Sequence, residues 1–210
     1  STGEFITAHP KIKKIAFTGS TEVGYDVMRN SHVHNLKRVS LELGGKSANI
    51  ILSDADVDLA VQQATFGLFF NAGQCCCAGS RAFVHESIYD QFVEKSVAHA
   101  ASLKLGNQFS ANVDQGPQID RTQMDKILKY VESGRSDGAE LLTGGNRFGD
   151  KGFYVEPTVF AGVTDDMQIA KEEIFGPVMA VMKFSTVDEV IQRANNSNYG
   201  LAAGLVTQSL

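Results

Sequence analysis

The sequence has 210 residues, with 19 basic and 24 acidic side chains and a net charge of −5 at pH 7. The few Lys and Arg are scattered, which argues against the clustered cationic surface that a nucleic-acid binder uses to neutralise phosphates. A hydrophobic fraction of 43% and a mean hydropathy of −0.10 belong to a globular chain with a real core, and no apolar run approaches the roughly 20 residues of a membrane helix. At the start, Ser1-Thr2-Gly3-Glu4 carries neither the basic region nor the apolar core of a secretion signal, and the missing initial Met leads to the expectation of a processed or excised chain. Lys13 to Gly19 reads as a short buried strand ending in a glycine turn, with helical character after Glu22. Strands are predicted at Arg38 to Leu43 and, after Gly44-Gly45, at Ser47 to Leu52.

Asp54 to Asp58 opens a helix whose Val57, Ala60, Val61, Ala64 and Leu68 fall on one face. The acidic DADVD run resembles a calcium loop only superficially: Leu59 stands where the turn glycine belongs and Thr65 where the final acid belongs. Arg81 to His85 reads as a strand, Ile88 to Leu103 as a helix with Tyr89, Phe92, Val93, Val97 and Ala100 inward, and Met124 to Val131 as another helix. Leu141-Leu142, Phe153 to Val163, Val178 to Phe184 and Leu201 to Val206 read as strands, with a helix from Asp188 to Ala194 between the last two. Strands alternating with helices predict a three-layered, mostly parallel α/β sheet. Glu42-Leu43-Gly44-Gly45 is the one candidate hinge. It divides residues 1–44 from residues 45–210, and the chain is expected to be part of a longer protein.

All three cysteines are adjacent, Cys75-Cys76-Cys77, which excludes a disulfide scaffold because a useful staple joins distant segments. No spaced partner pair makes a metal site, and a reducing compartment with a special role for one thiol is the better reading. Small residues on both sides, in NAGQCCCAGSR, let a ligand approach Cys76, although free cysteines more often act as small buried hydrophobes. Glu42 ends a strand-like run before two glycines, the carboxyl end where α/β proteins place ligands; a solvated strand-end Glu and a buried proton acceptor are both compatible with the sequence. Phe17-Thr18-Gly19-Ser20-Thr21-Glu22-Val23-Gly24 gives strand, turn and helix start, a geometry that presents backbone N–H groups to a pyrophosphate but that many structural turns share. Lys171-Glu172-Glu173 reads on its own as a solvated charge run.

Taken together, FTGSTEVG, LELGGKS, NAGQCCCAGSR, KEEIFGPV (Lys171 to Val178) and NNSNYGLAAGL (Asn195 to Leu205) resemble, in order and spacing over essentially the whole chain, the aldehyde dehydrogenase superfamily. The CCC cluster and NLKRVSLELGGKS are most similar to its retinal-type and mitochondrial acetaldehyde-type branch. The resemblance implies a Rossmann-like catalytic domain preceded, in residues 1–44, by the tail of the cofactor-binding domain. It implies that Cys76 attacks an aldehyde to give a thiohemiacetal, that hydride passes to NAD or NADP to leave a thioester, and that Glu42 is the general base for its hydrolysis. Gly19, Ser20, Thr21 and Gly24 would face the cofactor pyrophosphate, Leu43 and Gly44 would border the nicotinamide, Glu173 would hold its ribose hydroxyls, and Phe175 would pack nearby. Gln123 and Lys126 match cofactor-proximal positions. The family's oxyanion-holding Asn from an earlier segment is not in this sequence, so the 210 residues by themselves are expected to bind NAD poorly and to turn over little. An aldehyde substrate, a homo-oligomer and a cytosolic or mitochondrial-matrix location complete what the resemblance implies, with no nucleic acid, membrane or metal. Two rival readings are a crystallin-like structural protein on the same scaffold, and a cysteine hydrolase that would need a His partner, for which His85 is nearest.

Overall fold

In the computed structural model, which describes residues 1–209, backbone contacts divide the chain into two units, Ser1–Gly44 and Gly45–Leu210. The first opens with α1 (Thr2–Ala8), an element without apolar periodicity that a capping box nucleates: Ser1 Oγ accepts from Glu4 N–H at 3.3 Å, and the Ser1 amine donates back to Glu4 Oε2 at 3.2 Å. Strand β1 (Lys14–Thr18), helix α2 (Thr21–Ser31) and strand β2 (Arg38–Glu42) follow. β1 and β2 pair in parallel from Lys14 opposite Arg38 to Thr18 opposite Glu42. Ser20 caps α2 by accepting from Val23 N–H at 3.3 Å, so this helix starts at the carboxyl end of β1.

The second unit runs β3 (Ala48–Ile51), α3 (Val57–Phe69), β4 (Arg81–His85), α4 (Tyr89–Ser102), α5 (Arg121–Ser136), β5 (Glu140–Thr143), β6 (Arg147–Phe148), β7 (Tyr154–Val155), β8 (Thr158–Ala161), α6 (Gln168–Lys171), β9 (Val178–Phe184), α7 (Val187–Asn195) and β10 (Ala203–Val206). Its main sheet has the order β10-β3-β4-β9-β8-β5, parallel throughout except for β5. Alternation along the central strands sends Ala82, Val84, Met179 and Val181 to one face, against Ala60, Ala64 and Leu68 of α3 and Phe92 of α4. Phe83, Ala180, Met182 and Phe184 go to the other, against Met124, Ile127 and Val131 of α5, Ile169 of α6 and Val190 of α7. Two apolar faces on one sheet require a helical layer on each side, which gives the three-layered α/β architecture.

The strand expected over Phe153 to Val163 is two strands, β7 and β8, because Pro157 interrupts it and removes a ladder donor. β7 pairs with β6 outside the main sheet, whereas β8 enters the sheet beside β9. The helix expected from Met124 begins three residues earlier, at Arg121, because Asp120 caps it by accepting from Gln123 N–H at 2.8 Å. That extension puts Gln123 in the first turn of α5.

Candidate functional site

In the first unit the sequence candidates gather at the carboxyl end of the strand pair. Gly19 N–H donates to Glu42 O at 3.1 Å, which places the Gly19-Ser20 turn beside the last residue of β2. Gly24 packs against Leu43 so closely that a β-carbon there would meet Leu43 Cδ2 at 2.7 Å. Glu42 is exposed; the burial that one reading of the sequence asked of it is not met. Thr21 Oγ1, in the first turn of α2, is buried without a hydrogen-bond partner among the described residues. The N-terminus of α2, opening on Ser20 and Thr21 at the carboxyl end of β1, suits the phosphates of a dinucleotide.

In the second unit the site forms at the amino edge of the sheet, opposite to the carboxyl-end rule that the first unit obeys. The loops that lead into β3, β4 and β9 meet backbone to backbone there. A β-carbon on Gly45 would lie 2.4 Å from Cys76 O, and one on Gly73 would lie 2.1 Å from Gly176 O, so glycine is the only residue that lets these loops touch. Asn71, Ala72 and Gly73 are all left-handed, with φ of 52°, 55° and 73°, and Phe175 is left-handed at 58°. For residues with a β-carbon this conformation costs about 1–2 kcal/mol each, so surrounding contacts must hold it.

The three thiols separate chemically. Cys75 packs against the core and Cys77 is exposed, yet their sulfurs approach to 3.5 Å, and this hydrogen bond pushes the Cys77 thiol up from its ordinary range. Half-buried Cys76 has no sulfur partner, and its N–H donates to no protein acceptor among the described residues. It is the one thiol of the three left with both a free sulfur and a free backbone donor.

Half-buried Glu173 accepts from Gly45 N–H at 3.3 Å through Oε1, while among the described residues Oε2 has no hydrogen bond. Burial pushes its carboxyl above the ordinary range, opposed by that N–H and by the charges of Lys126 and Lys46. One free carboxylate oxygen suits a vicinal diol such as a ribose. Gln123 Nε2 donates to Ile174 O at 3.0 Å and to Phe175 O at 2.9 Å, so the amide that sequence matching assigned to a cofactor supports the Phe175 turn. Lys126 is exposed and lies over the Tyr130 ring, whose hydroxyl donates to Glu172 Oε2 at 2.7 Å. His85 is occupied elsewhere, with Nδ1 at 2.8 Å from Ser87 Oγ and Nε2 at 3.1 Å from Ser185 O, at the far end of a strand that spans roughly 15 Å from the thiol loop. That arrangement removes the His partner of the hydrolase reading.

Sequence reasoning missed Lys46. It follows Gly45, is 2% exposed, and its amine has no hydrogen-bond partner among the described residues. Burial holds the amine at about 7, with the Arg81 charge pulling the same way and Glu173 and Glu172 opposing. Gln74 and Gln118, which hold the turn before the thiols, were missed as well; a lysine or glutamine in a loop gives no sequence signal of burial.

The model of the aldehyde dehydrogenase family matches residues 1–210, and the chain belongs to that family. It is 59% identical over 210 residues to a mitochondrial aldehyde dehydrogenase of Mesocricetus auratus, and 59% identical to a mitochondrial benzaldehyde dehydrogenase of Antirrhinum majus. These matches cover all of this chain but 42% and 39% of those proteins, so the chain spans about two fifths of their length. Among solved structures, the NAD+ complex of an aldehyde dehydrogenase from Bacillus cereus superposes with a TM-score of 0.97 at 50% identity, covering 99% of this chain and 42% of that one.

Proposed function

We propose that this protein oxidises an aldehyde to a carboxylic acid with NAD, through a covalent intermediate on Cys76. The observation that carries the reading is the state of Cys76, whose sulfur and backbone N–H are both uncommitted while its neighbours' sulfurs engage each other. Its Sγ attacks the carbonyl carbon, the carbonyl oxygen becomes an oxyanion, and the free Cys76 N–H donates to that oxygen. Bound NAD supplies the acceptor for the hydride that the thiohemiacetal carbon gives up. Glu42 then takes a proton from the water that attacks the resulting thioester, which releases the acid and restores the thiol.

Each unit carries residues suited to a part of NAD. Gly19, Ser20, Thr21 and Gly24 would bind its pyrophosphate, Leu43 and Gly44 would border the nicotinamide, and the free oxygen of Glu173 would hold ribose hydroxyls while Phe175 packs alongside. Lys126 supports Glu173 electrostatically, and Gln123 supports it through the Phe175 turn. The mitochondrial names of the relatives support the reducing compartment, matrix or cytosol, that the three adjacent cysteines suggest. NADH production from acetaldehyde or benzaldehyde by the full-length protein that contains this chain, abolished by Cys76→Ala, is the expected result. Turnover that survives the substitution sinks the reading, and a crystallin-like protein would show none in either form.

A further inference from the structure

The thiol loop depends on a segment distant in sequence. Gln118, 2% exposed, donates from Nε2 to Ala72 O at 3.3 Å, and Ile119 N–H donates to Gln74 Oε1 at 2.9 Å. Gln74 in turn donates from Nε2 to Asn71 O at 3.1 Å, and Asn71 Nδ2 donates to Gln74 O at 3.0 Å. Every one of these bonds ends on the left-handed Asn71–Gly73 turn or on the residue between it and Cys75. The bracing segment is itself fixed: Gln118 N–H donates to Phe153 O at 2.8 Å and Gln115 Nε2 to Val155 O at 2.7 Å.

Gln118 is a poor choice for stability alone. Its Oε1 is buried with no partner among the described residues, so the side chain carries a desolvation cost that an apolar residue of the same volume would avoid. A residue that costs stability while holding a strained turn next to the reactive thiol is placed for geometry.

We propose that Gln118 and Gln74 are positioning residues for the Cys76 thiol, clamping the Asn71–Gly73 turn so that the sulfur keeps one direction. The inference rests on the reading of Cys76 as the nucleophile. Neither glutamine touches the reacting atoms; both act through the backbone of the loop.

The test is competitive alkylation with limiting iodoacetamide, with each of the three cysteines read separately by fragment mass spectrometry, beside a thermal melt. In the parent, Cys76 is labelled ahead of Cys77. In Gln118→Met the melting temperature holds or rises, while the ratio of Cys76 to Cys77 labelling falls on the order of 10-fold, the scale on which small misplacements of a reacting group act. Gln74→Glu keeps the acceptor for Ile119 N–H and loses only the donor to Asn71 O; it folds and shows the same direction of change. Adding it to Gln118→Met brings little further loss, because both side chains hold one turn.

A melting temperature that falls together with the labelling ratio would make Gln118 merely structural and overturn the proposal. So would a parent-like ratio in both variants. A parent that shows no preference for Cys76 overturns the assignment of the nucleophile and the clamp with it, a result distinct from a preference that survives the substitutions. If Gln118→Met does not fold, the ratio in Gln74→Glu decides alone.

Discussion

Replacing Lys46 by Met tests the buried amine directly, because Met keeps a long flexible stem and removes the charge. The amine sits at about 7 in the folded chain against an ordinary 10.5, chiefly through burial and then through Arg81. The sign follows from which state holds the proton. Below about pH 7 the amine is charged in both states, and the folded state bears the full penalty of a buried charge. Between about 7 and 10.5 the unfolded chain holds a proton that the folded chain has released, so this residue makes stability rise with pH. At about 1.4 kcal/mol per pH unit the interval sets a ceiling of about 5 kcal/mol. Local relaxation reduces it, and replacing buried charges by apolar side chains typically recovers about 1–4 kcal/mol. Urea unfolding of parent and Lys46→Met from about pH 6 to about pH 10 should therefore show the variant more stable by about 2 kcal/mol at the acid end, with the advantage shrinking toward zero at the alkaline end. Taking the difference between the two proteins cancels every other titrating group. A difference that stays flat with pH, or an advantage of the variant over the parent that is smaller near pH 6 than near pH 10, would refute the reasoning.

Gly73→Ala should abolish folding or cost about 3–5 kcal/mol in chemical denaturation, since the new β-carbon would meet the Gly176 carbonyl at 2.1 Å and neither backbone can yield. In the full-length protein that contains this chain, Glu173→Gln should raise the KM for NAD on the order of 10-fold with stability nearly unchanged, because the amide still accepts from Gly45 N–H but loses the charge offered to a diol; an unchanged KM would remove Glu173 from the cofactor site. Tyr130→Phe should cost no more than about 1 kcal/mol by thermal melt, as its 2.7 Å bond goes to an exposed Glu172 that water serves equally well.

Much of the fold was legible because burial on both faces of a parallel sheet writes itself into unbroken apolar runs such as Val178 to Phe184, and because α3 and α4 carry clear 3.6-residue stripes. Helix α1 was not, since its apolar residues Phe5 and Ile6 are 79% and 48% exposed and show no stripe; only the Ser1–Glu4 capping pair announces it. Pro157 is a sequence signal for the break between β7 and β8, although the apolar residues on both sides of it read as one run.

The candidate site divides in the same physical way. Cys76 and Glu42 could be singled out as candidates because they stand beside glycines and small residues in short stretches, whereas Glu173 reads on its own as part of a charge run and is singled out only by the resemblance that KEEIFGPV carries. Gln118 could not, because its importance lies in a distance to Ala72 O across 46 positions of sequence, and a lone glutamine between Pro117 and Ile119 has no local consequence. Lys46 stands next to a motif glycine, yet lysine's usual exposure argues against the burial it has. What sequence motifs omit here is the support behind the reactive groups: glycines that admit backbone contact at Gly45 and Gly73, and side chains that hold a strained turn in place. Local sequence states which atoms can react, whereas the direction in which Cys76 points is set by loops that only the folded sheet brings to one edge.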